Sequence, residues 1–179
     1  MLLLAEKEDL RFLVDTNFDI KYLSPVQKYV QWKLENNKWD DYNELYQASK
    51  MIERLKTQEN IWMETHLLLK NEAITGVLLI VGGEIKKLEN KYSVEDQEHS
   101  LLLKYFHIVD KGKGLGSYWL KSVILPYYEG KGFRQIYLNS THPDSFPFYK
   151  RLGSVISQYE QPSDNNLFKR LGNSFLINI

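Results

Sequence analysis

The residues with the clearest chemistry are Lys111-Gly112-Lys113-Gly114-Leu115-Gly116-Ser117. Three alternate glycines allow a tight turn and let backbone N–H groups approach a ligand with no Cβ in the way. A helix starting there adds unpaired N–H donors and about half a unit of positive charge, and Lys111 and Lys113 add full charges. The expected guest is a phosphate or pyrophosphate. The turn lacks the Gly-Lys-Ser/Thr ending of a P-loop, because Gly116 is followed by Ser117 and Tyr118. It also lacks the Gly-x-Gly-x-x-Gly spacing of a dinucleotide fold, which argues against NTP hydrolysis and against NAD.

The elements that must position this turn follow from periodicity. Residues 100–109 read as a buried strand, 115–129 as a helix and 135–139 as a strand. Pro126 lies inside that helix, so a kink or an end is expected near residues 122–125, turning Tyr127 and Tyr128 toward the sheet or a partner. Upstream, residues 2–5 read as a strand and 9–21 as a mixed helical signal. Residues 24–36 read as a helix with Ser24 as cap before Pro25, and 40–56 as a second helix. The runs 61–69 and 73–81, separated by Lys70-Asn71-Glu72 and ended by Gly82-Gly83, read as a β-hairpin, and the charged stretch 84–98 as an exposed connection. A short helix near 145–152 and strands near 155–159 and 174–179 complete the chain, which is expected to form one domain over residues 1–179.

The order strand, Lys-Gly-Lys-Gly-Leu-Gly, amphipathic helix, strand, then Phe148-Tyr149-Lys150-Arg151-Leu152-Gly153 resembles the GNAT superfamily of N-acetyltransferases. Lys111, Gly114 and Gly116 occupy the three defining places of that family's pyrophosphate loop, Arg/Gln-x-x-Gly-x-Gly/Ala, with lysine as a conservative departure. Phe148-Tyr149 and Gly153 are similar to its aromatic-Tyr pair and following glycine, and His142 stands where the family often has asparagine. The resemblance implies an α+β fold, with a mixed, mostly antiparallel sheet of six or seven strands and helices on both faces.

It also implies acetyl-CoA, or another acyl-CoA, as co-substrate in a cleft where two parallel strands splay apart. The backbones of Phe106 and Ile108 would meet the pantetheine arm, and Lys111, Gly112, Lys113, Gly114, Leu115, Gly116 and Ser117 would hold the pyrophosphate. His142 would stand near the co-substrate. Tyr149 aligns with the family tyrosine that protonates the leaving thiolate. A family glutamate that serves as base falls on Ser100, a poor base. Glu98 and His99 lie beside it, ready to be brought in by a bulge, and rank below a water chain.

Composition bounds the rest. Lys+Arg and Asp+Glu both number 23, so no net charge draws the chain to nucleic acid or an anionic membrane. The absence of cysteine excludes disulfides and thiolate chemistry and suits a cytoplasmic location. The start, Met1-Leu2-Leu3-Leu4-Ala5-Glu6, lacks the basic region and apolar length of a signal peptide. His66, His99, His107 and His142 show no metal-ligand spacing, so no metal is expected. The expected acceptor is a small-molecule or peptide amine, which Asp40, Asp41 and Glu44, or Glu95, Asp96 and Glu98, could attract. A homodimer is compatible with this reading. The alternatives are an acyl-CoA-binding regulatory module without catalysis, and a transferase using a longer acyl donor or an alcohol acceptor.

Overall fold

Asn71 and Glu72 both carry positive φ, 48° and 65°. That is the backbone of a two-residue hairpin turn whose twist matches its strands. The turn joins β3 (Ile61–Lys70) to β4 (Ala73–Gly83), as the sequence leads one to expect. Apolar residues fall on both sides of these strands because both faces of the sheet are covered. Leu67, Leu69, Val77, Leu79 and Val81 enter one core, while Leu68, Leu78 and Ile80 enter the other.

A computed structural model describes residues 1–38 and 42–179. Eight strands form one sheet in the order β1-β2-β3-β4-β5-β6-β8-β7. The others are β1 (Leu2–Lys7), β2 (Leu10–Asp15), β5 (Ser100–Ile108), β6 (Gln135–Ser140), β7 (Ser154–Pro162) and β8 (Lys169–Asn178). All neighbours are antiparallel except β5 and β6. The strand beyond the expected six or seven is β2, which lies where a mixed helix was expected at 9–21. Glu8, at φ 55°, closes the β1–β2 hairpin without the Asn-Gly signature that announces such turns. Tertiary pairing with β3 then holds β2 extended.

On one face lie α1 (Ser24–Glu35) and α2 (Glu44–Lys56), packing Val26, Ala48 and Ile52 against Leu13, Leu67 and Leu79. Ser24 is not the cap of α1. A 3-10 turn at Ile20–Leu23 runs straight into the helix, and Asp19 caps that turn by accepting from Lys21 N–H at 2.9 Å. Asn43 caps α2, accepting from Tyr46 N–H at 2.9 Å. The expected helix start at 40, and the acidic pair Asp40 and Asp41, fall outside the described residues.

The opposite face carries helix 115–129 and a short helix over residues 146–150. The helix begins as α3 (Leu115–Tyr118), widens to a π-turn over Trp119–Ile124 and resumes as α4 (Leu125–Glu129). Leu125 N–H reaches the Leu120 carbonyl five residues back. Pro126, lacking an N–H and too bulky for a regular helical turn, sits at the start of the resumed segment. The interruption expected at 122–125 thus takes the form of a π-turn, and Tyr128 is fully buried against the sheet. Last in this layer is α5 (Phe146–Lys150), which packs Tyr149 on Phe175 of β8, with ring centroids 5.4 Å apart. No helix among the described residues is long and apolar enough to cross a membrane.

Candidate active site

The parallel pair β5–β6 is hydrogen-bonded only from Ser100↔Gln135 to Leu103↔Leu138. Beyond that point β5 continues beside β4 to Ile108, while β6 continues beside β8 to Ser140. The two strands therefore part, leaving an opening in the middle of the sheet. Lys104 marks the place: Leu79 faces Tyr105 and Ile80 faces Leu103, so Lys104 has no partner on β4 and forms a bulge.

Backbone groups alternate in direction along a strand. Val109 N–H points to Thr75 O on the β4 side at 2.9 Å. The same alternation turns the backbone groups of Phe106 and Ile108 away from β4, toward the opening. Their availability is a property of the splay, not of their side chains, which pack into the core with Trp119 and Phe148.

The glycine loop lies at the end of β5. Gly112 and Gly114 have φ of 80° and 74°, which side-chain-bearing residues rarely adopt, and a Cβ at either would meet nothing within 4 Å. A Cβ on Gly116 would make ordinary contacts with Ile108, Phe106 and Phe148 at 3.4 to 3.5 Å. Tyr118 N–H closes back on Gly114 O at 3.0 Å, but the N–H groups of Leu115, Gly116 and Ser117 take no partner among the described residues. Lys113 lies 3.5 Å from Asp110. The Lys111 ammonium rests 4.3 Å from the centre of the Tyr29 ring on α1, and burial lowers its proton affinity against the pull of Glu44 and Asp144.

Tyr149 is buried beside the opening on the helix 115–129 side, and burial raises its ionisation above the usual phenol range. Its hydroxyl makes no hydrogen bond among the described residues. It is a neutral donor with no acceptor among the described residues. Gly153 lets the chain pass close to β8, since a Cβ there would stand 2.1 Å from the Leu176 carbonyl oxygen. His142 is exposed and organises the turn after β6. Its carbonyl accepts from Ser145 N–H and Oγ at 2.9 and 2.7 Å, and its ring meets Tyr42 edge-on.

Glu98 and His99 are not brought to the opening. They precede β5 at the end where it is still paired with β6. Glu98 is exposed, and His99 Nδ1 lies 2.9 Å from Asp96 Oδ1. The bulge that was to carry them inward falls at Lys104 instead.

The stretch 84–98 is not wholly exposed either. Ile85 and Val94 are buried, and the Glu89 side chain is only 2% exposed. Asn139, the first residue of β6 past its last pair with β5, donates from Nδ2 to Glu89 Oε2 at 2.5 Å. Ser174 Oγ donates to Asn139 Oδ1 at 2.6 Å and so fixes the amide's orientation. Lys104 Nζ stands 4.0 Å from Glu89 Oε2, its proton affinity lowered by burial more than Glu89 raises it. Little in the sequence announces this cluster. Lys104 inside an apolar strand and Asn139 at the carboxyl end of a parallel strand were its legible signals, whereas Glu89 had none.

An open groove of about 610 Å³ lies at the other end of the sheet, bounded by Thr16, Phe18, Lys56, Trp62 and Glu64. The polar groups that converge on a break in the sheet are those between β5 and β6. Among the described residues no three His, Asp or Glu side chains are grouped to hold a metal ion.

No family profile and no curated protein sequence matches the chain. Solved structures do resemble it. A Salmonella typhimurium acetyl transferase that modifies the N-terminal serine of 50S ribosomal subunit protein L7/L12 is 16% identical with a TM-score of 0.61, over 99% of both chains. A GNAT-family acetyltransferase from Streptococcus pneumoniae is 13% identical at 0.53, over 94% of this chain and 99% of its own. YncA from Salmonella typhimurium, solved with its cofactor acetyl-CoA, is 12% identical at 0.55 over 93% of both chains. The splayed parallel pair, the loop at its end and the likeness over nearly the full chain establish that this protein has the fold of the GNAT-family acetyltransferases.

Proposed function

We propose that the chain transfers an acetyl group from acetyl-CoA to a primary amine by direct attack. The observation that carries this reading is the opening between β5 and β6. It presents the unpaired backbone edge of Phe106 and Ile108 and ends at the free N–H groups of Leu115, Gly116 and Ser117. An extended amide-bearing arm fits the strand edge, and a pyrophosphate fits the loop, where no side chain fills the space above Gly112 and Gly114. Lys113 adds positive charge at the loop.

The thioester would lie at the Lys104 bulge, with its sulfur toward Tyr149. As the carbon–sulfur bond breaks, the Tyr149 hydroxyl protonates the departing thiolate. Burial keeps that phenol protonated through the neutral range. The amine would come from the α1–α2 side. A small molecule, a peptide or a protein N-terminus are all acceptors of the right chemistry, and the L7/L12-modifying relative in fold supports including the last. The reading places the protein in the cytoplasm.

Acetyl-CoA at about one hundred times its dissociation constant should stabilise the fold by about 2.7 kcal/mol. A panel of amines with acetyl-CoA should release free thiol. No melting shift at millimolar acetyl-CoA would remove the reading.

A further inference from the structure

We propose that Glu89 receives the acceptor's ammonium group and takes its proton, an inference that rests on the acetyltransferase reading above. The connection from β4 to β5 folds back to bury this carboxylate at the point where β5 and β6 part. Burying a charge costs several kcal/mol unless partners compensate. Glu89 has hydrogen-bond partners for its buried carboxylate and one bonding site to spare. Oε1 accepts from the N–H groups of Asn90 and Lys91, both at 3.0 Å, which fills its two lone pairs. Among the described residues Oε2 accepts a hydrogen bond of normal geometry from Asn139 alone, which leaves it one lone pair.

That open position lies between the two strands that part, because Oε2 is bonded to Asn139 of β6 and faced by Lys104 of β5. The charged and titratable groups around the carboxylate are few. Lys91 stands 3.9 Å from Oε1 and Lys104 4.0 Å from Oε2, both beyond hydrogen-bond reach. The Tyr92 hydroxyl stands beside the carboxylate but makes no hydrogen bond of normal geometry, and Tyr92, like Tyr159 on β7, is held protonated by burial and by the charge of Glu89. The spare lone pair thus takes no well-formed hydrogen bond from the described residues, and Tyr92 is the protein donor that competes with the acceptor for it. A primary ammonium arriving along the opening fills it.

The two faces of the sheet divide the chemistry. Asn139 alternates with Leu138, whose side chain joins the core that contains Tyr149 and Phe175. Glu89 and Asn139 are therefore on the α1–α2 side, and Tyr149 is on the other. The acceptor R–NH3+ gives one proton to Glu89, and the freed nitrogen lone pair forms the bond to the thioester carbon. The carbon–sulfur bond then breaks, with its electron pair going to sulfur, which takes the Tyr149 proton. The second proton lost by nitrogen restores the phenol, and Glu89 returns its proton to solvent.

The test compares wild type with Glu89→Gln and Glu89→Asp. It uses acetyl-CoA with n-propylamine and with a serine-leading tripeptide, reading thiol release from pH 6 to 10 and the acetyl-CoA melting shift. Glu89→Gln should keep the shift and lose turnover about a hundredfold at pH 7. With n-propylamine the gap should close about tenfold per pH unit as solvent deprotonates an alkyl amine of pKa about 10.4, and with the tripeptide it should stop narrowing near pH 8, since an α-amino group has a pKa of about 7.7 to 8.0. Glu89→Asp should fall between the two. Wild-type turnover in Glu89→Gln overturns the proposal, as does a loss of turnover that is equal at every pH or accompanied by loss of the acetyl-CoA shift. A wild type that shows no shift, or no thiol release from either amine, overturns the acetyltransferase reading and this proposal with it.

Discussion

The Tyr128 hydroxyl donates to Glu64 Oε2 at 2.8 Å and lies 2.7 Å from His66 Nε2. Since the single phenolic proton goes to the carboxylate, His66 must donate from Nε2, which leaves Nδ1 an acceptor with no hydrogen-bond partner among the described residues. The ring is fully buried and neutral. Burial, helped by the Lys131 ammonium, depresses its pKa from 6.5 to about 3. The unfolded chain binds a proton below pH 6.5 that the folded chain refuses until about pH 3, so this contribution to stability is intact above 6.5 and lost as pH falls through that window. Unfolding by urea should show His66 alone costing about 2 kcal/mol between pH 7 and pH 5. His66→Gln should flatten that dependence. His107, depressed to about 4 mainly by burial, adds a similar loss down to that lower limit.

Removing the Tyr128 hydroxyl takes a partner from both Glu64 and His66 while keeping the ring. Tyr128→Phe should destabilise the fold by about 1 to 3 kcal/mol, seen as a lower urea midpoint, because it leaves the buried His66 ring wholly unpaired. Acetyl-CoA affinity should be unchanged, since the network lies away from the glycine loop.

Tyr149→Phe tests the leaving-group step. The ring still packs on Phe148 and Phe175, so acetyl-CoA should bind as in wild type while turnover falls about a hundredfold or more. Burial raises the phenol's ionisation above its usual 10, so wild-type turnover should show no loss from Tyr149 ionising below pH 10. Retained turnover under conditions where chemistry limits the rate would exclude the assigned role.

The loop glycines should separate by cause. Gly114→Val forces a branched residue to φ 74° at the helix start, so it should weaken acetyl-CoA binding by at least tenfold in a titration without unfolding the protein. Gly116→Ala has room in the protein, with contacts no closer than 3.4 Å, and should leave the melting temperature of the free protein nearly unchanged. Any loss of acetyl-CoA affinity there would report the ligand's own approach to that position.

Gly153→Ala should act on the fold instead. Its Cβ would stand 2.1 Å from the Leu176 carbonyl oxygen, so β8 must shift, at a cost of about 1 to 3 kcal/mol or more in thermal or urea unfolding.

Much of this was legible in the sequence where local chemistry dictates structure. The glycines of the loop had to adopt backbone that other residues avoid, and Gly112 and Gly114 do. Pro126 had to interrupt its helix, and the apolar, β-branched-rich runs 61–69 and 73–81 around Lys70-Asn71-Glu72 read as the hairpin they form. What the sequence could not specify were relations between segments far apart in the chain. Strand β2 is extended because β1 and β3 pair with it, against an ambiguous local pattern. The bulge falls at Lys104 because β4 and β6 set the register of β5, and that choice keeps Glu98 and His99 at the closed end of the pair. Glu89 looks like one more charge in a polar connection. It comes to the break between β5 and β6 only because the folded connection brings it to Asn139, fifty residues away, where the two strands part.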